Sequence, residues 1–548
     1  MQSTLNRYLK FIVLLFPFLS PFQSKAQQFN IVLGRPTNNS ITVSVMFNQI
    51  NTFYICYGTQ PSTYTDSTST FSNTPNIPVE IDLTNLIGDT KYYYILKYKN
   101  GSAINYSSSQ EYTFHTQRAV GNGFTFTIEA DEHLYDKKGI QSVYELTLAN
   151  QANDNPDFML SLGDIFGDDH TPTTSTAGQL DTLHANYRPF LGELCHSVPF
   201  YVCLGNHEGE NDYYLAQTPP NNIAVWGTTY RKQYYPNPYP NSFYSGNTTV
   251  EPYGIGNPEN YYAWQWGDAQ FIVLDVYRDQ CDTSAKPQGW NWSLGAPQFT
   301  WLENTLQSST AKYKFVFAHH IRGQGRGGIT NAPLYEWGGR NTLNGPSTFA
   351  ANRPGWSMPI HDLFTTYGVN VFFQGHDHLF AHEELNGVAY QEVPMAADST
   401  YEIGMLANAS AYTQDTIGGT GYLRVNVNAN CIQVDFVRTY LPADTLSGLH
   451  HNGEVGFSYT IGNCSTSISE NATANNIVLY PNPAKNYFYL KNFVADNKNF
   501  IRVYDMMGRL VLTSYSNETS IAGLPNGSYM VEINSNNQQV FKKLLINR

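Results

Sequence analysis

Residues 371–378 read VFFQGHDH. A short apolar run meets a glycine, and two histidines flanking an aspartate follow at once. The same arrangement recurs along the chain. FTFTIEA (124–130) ends in Asp131-Glu132-His133, FMLSLG (158–163) in Asp164, FYVCLG (200–205) in Asn206-His207-Glu208, and KFVFA (314–318) in His319-His320. Five runs of strand length each stop at groups that ligate metals. A small residue precedes each stop (Ala130, Gly163, Gly205, Ala318, Gly375), which lets the backbone turn sharply and approach its neighbours. Asp, Asn and His supply oxygen and nitrogen ligands suited to Zn, Mn or Fe. Together they are too many for one ion and suit two.

Helical patterns lie between these runs. Leu180, Leu183, Tyr187, Phe190 and Leu191 recur at helical spacing in GQLDTLHANYRPFLGEL (178–194). Phe299, Leu302 and Leu306 do so in APQFTWLENTL, and Ile360, Leu363, Phe364 and Tyr367 in SMPIHDLFTTYG. Strands alternating with helices predict a layered α/β domain. Such folds place their sites at the C-terminal ends of strands, where the ligating residues stand. Residues 210–260, dense in Pro, Asn, Gly and Tyr, read as a long surface insertion.

The flanks are of a different kind. Residues 27–118 hold short strand-like runs, among them ITVSVMF, TFYICYG and TKYYYILKYKN, with turn signals between them and no helical period. That pattern predicts a β-sandwich of immunoglobulin or fibronectin size. After residue 466, NCSTSISENATANN reads as a polar linker. The last stretch again alternates short strands (NIVLYPNP, NYFYLKNF, GSYMVEINS, QVFKKLLINR), predicting a second, smaller β-sandwich. The expected division is a leader at 1–26, a sandwich at 27–118, the α/β domain at 119–466, and the linker and tail at 467–548.

The leader shows Arg7 and Lys10, an apolar stretch from Phe11 to Leu19, and Ser24-Lys25-Ala26. This is the pattern of a secretory signal peptide cut near Ala26. Its apolar core is too short for a membrane span, and no later stretch is long enough, so no transmembrane segment is expected. The formal charge is −13, and removing the leader's three cations (Arg7, Lys10, Lys25) makes it −16. A chain this acidic repels phosphate backbones, which argues against a nucleic-acid scaffold as partner. The six cysteines show no metal spacing; Cys203 reads as a buried thiol, and Cys431 and Cys464 are candidates for a bridge.

The ordered elements Asp131/His133, Gly163-Asp164, Gly205-Asn206-His207-Glu208, His319 and Gly375-His376-Asp377-His378 resemble the calcineurin-like metallophosphoesterases, over roughly residues 122–440. With a β-sandwich ahead of them, and with YYAWQWGDAQFIVLD and QFTWLENTL, they resemble the purple-acid-phosphatase-like branch. The resemblance implies an αββα central sandwich and a secreted hydrolase of phosphate esters, cleaving monoesters by attack of a metal-bound water. The same site in a phosphodiesterase or nucleotidase is the alternative. It implies two metal ions (Fe, Zn or Mn), one held by Asp131, His133 and His378, the other by Asn206, His319 and His376, with Asp164 bridging. His207 then faces substrate as a catalytic residue. His320, Arg322 and Arg326 are weaker candidates for substrate contact.

Two departures stand out. The metal-binding tyrosine of purple acid phosphatases falls at Gly167, so no tyrosinate colour is expected. The aspartate that pairs the catalytic histidine in many relatives is replaced by Asp168 or Asp169, one or two positions later.

IDLTNLIGDTKYYYILKY (81–98) resembles the late strands of a fibronectin type III domain. Tyr480-Pro481-Asn482-Pro483, VYDMMGRLV, GLPNGSYMVEI and the basic KKLLINR end resemble the C-terminal sorting domain of the type IX secretion system. That likeness implies the secretion machinery as partner, export by a Bacteroidota-type bacterium through the periplasm to the surface or medium, and loss of the tail on arrival.

Other motifs do not hold. AHEELN (381–386) lacks the second histidine of a zinc peptidase, and no phosphate-binding loop of the Walker type is present. Gly323, Gly325 and Gly328 satisfy G-x-G-x-x-G, but two histidines part them from the strand and no helical period follows, so a dinucleotide site is not expected. A non-catalytic binding protein on a phosphoesterase scaffold is the remaining alternative, which the complete ligand set opposes.

Overall fold

The computed structural model describes residues 28–134, 139–165, 174–279, 288–321, 326–403, 409–464, 477–491, 493, 499–505, 509–535 and 538–548. The leader lies outside them. The chain divides into two compact units, residues 1–464 and 465–548.

The first unit opens with two antiparallel sheets. One holds Phe29–Gly34, Ser40–Phe47 and Val79–Thr84. The other is built on Asn51–Gly58, Lys91–Asn100 and Tyr112–His115. Their facing side chains form one core, including Ile31, Val43, Phe53, Tyr94 and Phe114. The Tyr92 hydroxyl oxygen accepts the Ile87 amide at 2.8 Å, pinning the turn before the last long strand.

The central region is a sandwich of two mixed sheets. The first runs in the order Phe200–Val202, Phe158–Ser161, Phe124–Glu129, Gly421–Asn428, Cys431–Arg438, Val455–Gly462. The second places Tyr262–Trp266, Ala269–Val273, Tyr313–Phe317, Val371–Gln374 and Val388–Glu392 side by side. Alternation along each strand sorts its side chains into layers. Phe126, Phe158, Phe271, Phe315 and Phe373 point between the sheets. Ile272, Val316 and Phe372 point outward against the helices Gly295–Ser308 and Ile360–Tyr367. Met159 points the other way, against Gln141–Asp154 and Ala177–Leu194. Apolar residues on both faces explain why these runs read as continuously hydrophobic. The result is the expected αββα layering.

Phe124–Glu129, Phe158–Ser161 and Phe200–Val202 are parallel, as are Ala269–Val273, Tyr313–Phe317 and Val371–Gln374. In each sheet the loops that follow therefore emerge together at one end.

Residues 210–260 are more than a surface insertion. They contain a helix, Ile223–Tyr234, whose first turn is capped by the Asn222 side chain on the Val225 amide at 3.0 Å. Their tyrosines 234, 235 and 244 are buried, and Arg231 makes a buried ion pair with Glu210 at 2.6 Å. Thr228 and Thr229 weaken the helical signal in sequence; packing supplies what propensity lacks. Arg188 joins the first sandwich to the central one. Its guanidinium is fully buried and donates to Asn30 Oδ1 at 2.7 Å, to the Ser44 carbonyl at 2.6 Å and to the Tyr234 carbonyl. Cys431 and Cys464 form a disulfide, while Cys195 and Cys203 are free and buried.

The second unit is a small sandwich of a three-stranded and a four-stranded antiparallel sheet around Phe488, Ile501, Val531 and Leu544. Asn482 ties its opening turn to the final strand, accepting the Leu545 amide at 2.8 Å and donating to the Lys543 carbonyl at 2.7 Å.

Candidate metal centre

The strand ends converge on one buried cluster. Asp131, His133 and His378 present ligand atoms within 4.8 Å of one another; so do His133, Asp164 and His207, and so do Asp164, His319 and His376. The sets share His133 and Asp164, so they form one contiguous site. Asp164 Oδ2 lies 3.1 Å from His319 Nε2 and 3.9 Å from His133 Nε2. Asp131 Oδ1 lies 3.4 Å from His378 Nε2 and is buried with no hydrogen-bond donor among the described residues. An orphaned carboxylate oxygen facing three imidazoles is what a cation would satisfy.

The backbone is strained to achieve this. Asp131, His133, Asp164, His376 and His378 all have positive φ, from 45° to 76°. Non-glycine residues rarely adopt that region, and each such residue costs about 1–3 kcal/mol. In both D-E-H and H-D-H the outer residues take this conformation and enter the cluster, while the middle residue goes elsewhere. Glu132 accepts from Ser161 Oγ at 2.9 Å. Asp377 accepts from Tyr412 Oη at 2.7 Å, from the Gly327 amide at 2.8 Å and from Arg326 Nη1 at 2.9 Å.

Two motif glycines lie where no side chain fits. A Cβ on Gly205 would meet Asp164 Oδ1 at 2.3 Å, and one on Gly375 would meet Asp131 Oδ2 at 2.7 Å. Glu208 closes the loop behind Asp164. Its carboxylate accepts the amides of Gly205 (2.6 Å), Asp164 (3.1 Å) and Ile165 (3.0 Å).

The electrostatics suit cation binding. Burial works to raise the Asp164 carboxyl, but His319 and His207 beside it hold it well below the usual range. Burial likewise opposes charge on Asp131, and His378 and His319 bring it below its ordinary value. Burial lowers His133 to about 4 and keeps His376 neutral. Burial and the nearby Asp164 charge push Glu208 up to about 7.

His207 sits with its ring edge-on to His133, centroids 4.7 Å apart, and its amide donates to Asp164 Oδ1 at 2.8 Å. Asn206 Oδ1 accepts from the Tyr277 hydroxyl at 3.5 Å. His320 is buried and packs on His376 at 4.4 Å. Arg326 is engaged with Asp377 and with the His376 carbonyl at 2.8 Å, so it braces the ligand loop rather than standing free for phosphate. Arg322, Gly167, Asp168 and Asp169 lie outside the described residues. Sequence reading passed over Glu208, Asp377 and Tyr277 as supports. Their positions inside or near the motifs were the available signal, but the direction of each side chain was not.

Residues 124–380 match the calcineurin-like phosphoesterase family. The central domain is a calcineurin-like metallophosphoesterase. Residues 478–547 match the secretion system C-terminal sorting domain, which marks the protein for type IX secretion or surface attachment. Among solved structures, PhoD is similar over 79% of this chain and 90% of its own, at 17% identity and a TM-score of 0.55, which shows the shared fold. GAP50, the anchor in the inner membrane complex of Plasmodium, matches 62% of this chain and 89% of its own at 13% identity and a TM-score of 0.33. No curated protein matches the chain in sequence. No helix of the metallophosphoesterase or its flanking sandwiches, among the described residues, is long and apolar enough to cross a membrane.

Proposed function

We propose that this metallophosphoesterase holds two metal ions and hydrolyses phosphate monoesters outside the cell. The observation that carries the reading is the position of Asp164: of the two residues shared between ligand clusters, His133 and Asp164, it is the carboxylate, whose two oxygens suit it to bridge two ions. Asp131, His133 and His378 would hold one ion, and Asn206, His319 and His376 the other. Bound there, the ions would supply polarisation of a phosphoryl group and a water of lowered pKa as nucleophile.

The chain's own residues do the rest. Asp164 and Asp131 supply the negative charge that collects the cations. His133 and His376, kept neutral by burial, would complete the shells without cancelling that charge, and His319, which burial lowers but Asp164 pushes up to about 9, would give up its proton to ligate. His207, at the edge of the cluster with Nε2 4.0 Å from Asp164 Oδ2, is placed to give a proton to the leaving oxygen. Glu208 and Asp377 hold the two ligand loops from behind. The N-terminal sandwich is read as fibronectin type III-like, supported by buried Leu86 and the Tyr92 bond to the Ile87 amide.

Elemental analysis of the mature protein, together with p-nitrophenyl phosphate and its bis ester, tests the proposal. Two metals per chain and preference for the monoester are expected. Preference for the diester would replace the monoesterase reading with the phosphodiesterase one. A protein with neither metal nor turnover would be a binding protein on this scaffold.

A further inference from the structure

A groove of about 660 Å³, sharing no lining residue with the metal cluster, opens between the helix Gly295–Ser308 and the edge of the second sheet. Its wall includes Gln270, early in the strand Ala269–Val273, whereas the metal site lies beyond the other ends of the parallel strands alongside. A second groove of about 510 Å³ runs on from it, reaching Thr37–Ser40 of the N-terminal sandwich and sharing Phe243 and Gln265 as lining. The two make one trough, and each volume falls in the range of about 300–1,000 Å³ typical of ligand clefts.

The chemistry of the lining is unusual for a chain with a formal charge of −13. Among the described residues, no lysine, arginine, aspartate, glutamate or histidine lines either groove. The walls are hydroxyls and carboxamides, interrupted by aromatic rings. Trp301 and Tyr261 pack at 4.9 Å between centroids with planes tilted by 48°, and Trp301 Nε1 donates to Ser245 Oγ at 3.3 Å. Gln270 and Gln265 fix their amide nitrogens on backbone carbonyls, at 2.9 Å to Trp264 and 3.2 Å to Gly267. That orients both carboxamides and leaves their oxygens as directed acceptors.

Absence of charge argues against phosphate, carboxylate or ammonium ligands, each of which needs a counter-charge when desolvated. Hydroxyls that both donate and accept, directed carboxamides and the half-buried rings of Trp301 and Phe243 suit a ligand made of hydroxyl groups alternating with apolar C–H faces. We propose that this trough binds a neutral oligosaccharide. The site is separate from the phosphoesterase centre and does not depend on how that centre is read.

The test titrates the full mature chain with neutral hexaoses (cello-, malto-, manno-, xylo- and chitohexaose) by calorimetry. Hexagalacturonate and a heparin-derived hexasaccharide serve as charged controls. At least one neutral hexaose is expected to bind with a Kd at or below about 1 mM. Trp301→Ala should weaken it at least about tenfold, equivalent to about 1.4 kcal/mol. Asn304→Asp, an exposed change on the same helix face, should weaken it too. Asn304→Asp should keep the wild-type melting temperature, and both variants should keep p-nitrophenyl phosphate turnover, so loss of binding is separable from loss of fold or of the metal site. The proposal is overturned if no neutral hexaose binds, if binding survives both substitutions, or if the charged hexaoses bind as tightly. Concentration-dependent dimerisation abolished by Trp301→Ala, without sugar binding, would overturn it in favour of a second copy of the chain.

Discussion

Glu208 offers the sharpest test of how the metal centre is held. Its two carboxylate oxygens accept three buried backbone amides, those of Gly205, Asp164 and Ile165, at 2.6–3.1 Å. In Glu208→Gln one oxygen becomes an NH2. The least costly orientation keeps the amide oxygen on Gly205 and Asp164 and turns the NH2 toward Ile165. A donor then faces a donor, and the Ile165 amide is stranded. A buried donor without an acceptor costs about 1–3 kcal/mol. Burial already pushes Glu208 up to about 7, so the substitution also relieves some cost of burying charge, which places the expected loss in the lower half of that range. Glu208→Ala strands all three amides, and at about 3–9 kcal/mol it approaches the whole stability of a domain, so the glutamine variant is the informative one.

The functional effect should exceed the stability effect. Ile165 follows Asp164 directly, and Asp164 is already at φ 55°. A shift in this loop moves the carboxylate shared by the two ligand sets. Outer partners of metal ligands change affinity or activity by about 10–100-fold, and that is the expected loss of metal affinity in Glu208→Gln. The assay strips metal, adds back Zn, Mn or Fe, and follows both bound metal and phosphoesterase turnover, with melting temperature measured alongside. Restored activity at saturating metal is expected. Wild-type metal affinity together with an unchanged melting temperature would refute the assignment of Glu208 as the brace of Asp164.

Other outcomes follow from the same geometry. On the proposed role of His207 as proton donor, His207→Ala should lower kcat by about 10²–10⁴-fold while leaving bound metal unchanged; loss of metal in this variant would make it a ligand, as its place beside His133 and Asp164 also allows. Arg326→Ala should weaken metal retention with little change in KM, because its guanidinium holds Asp377 and the His376 carbonyl; a raised KM with intact metal would return Arg326 to phosphate binding. Burial, with Arg231 nearby, lowers His184 from 6.5 to about 3. Because the folded value is the lower one, the unfolded chain takes the proton first as pH falls, so stability is full above about pH 6.5 and declines toward about pH 3. Between pH 7 and 4.5 that is about 2–3 kcal/mol, and chemical denaturation of His184→Gln should show a correspondingly smaller acid loss.

The layering and the ligand cluster were legible because both follow from patterns of period and position. Phe126, Phe315 and Phe373 alternate with Thr127, Val316 and Phe372, and each of these runs ends at a ligating group. The fate of residues 210–260 was not legible. Tyr234, Tyr235 and Tyr244 are buried by contacts such as Tyr244 Oη donating to the Pro36 carbonyl at 2.6 Å, and no local period announces a contact across so long a span. The same limit hid the bracing acids. Glu208 lies within a quoted motif, yet only the fold shows that it turns back on Gly205 and Asp164.

The left-handed backbone links these observations. Five non-glycine residues at about 1–3 kcal/mol each form a strain that no single contact offsets. Alternation in φ sends Asp131 and His133 one way and Glu132 the other, so the ligand motif and its anchor are made by the same kink. The middle residue is therefore not a spacer. Asp377, bonded to Tyr412, Gly327 and Arg326, fixes the turn that delivers His376 and His378. Glu132 holds Ser161, the last residue of the strand that leads to Asp164. Carboxylates turned away from the cluster stabilise the backbone that turns the others inward, and the ligands of both proposed ions are preorganised before any cation arrives.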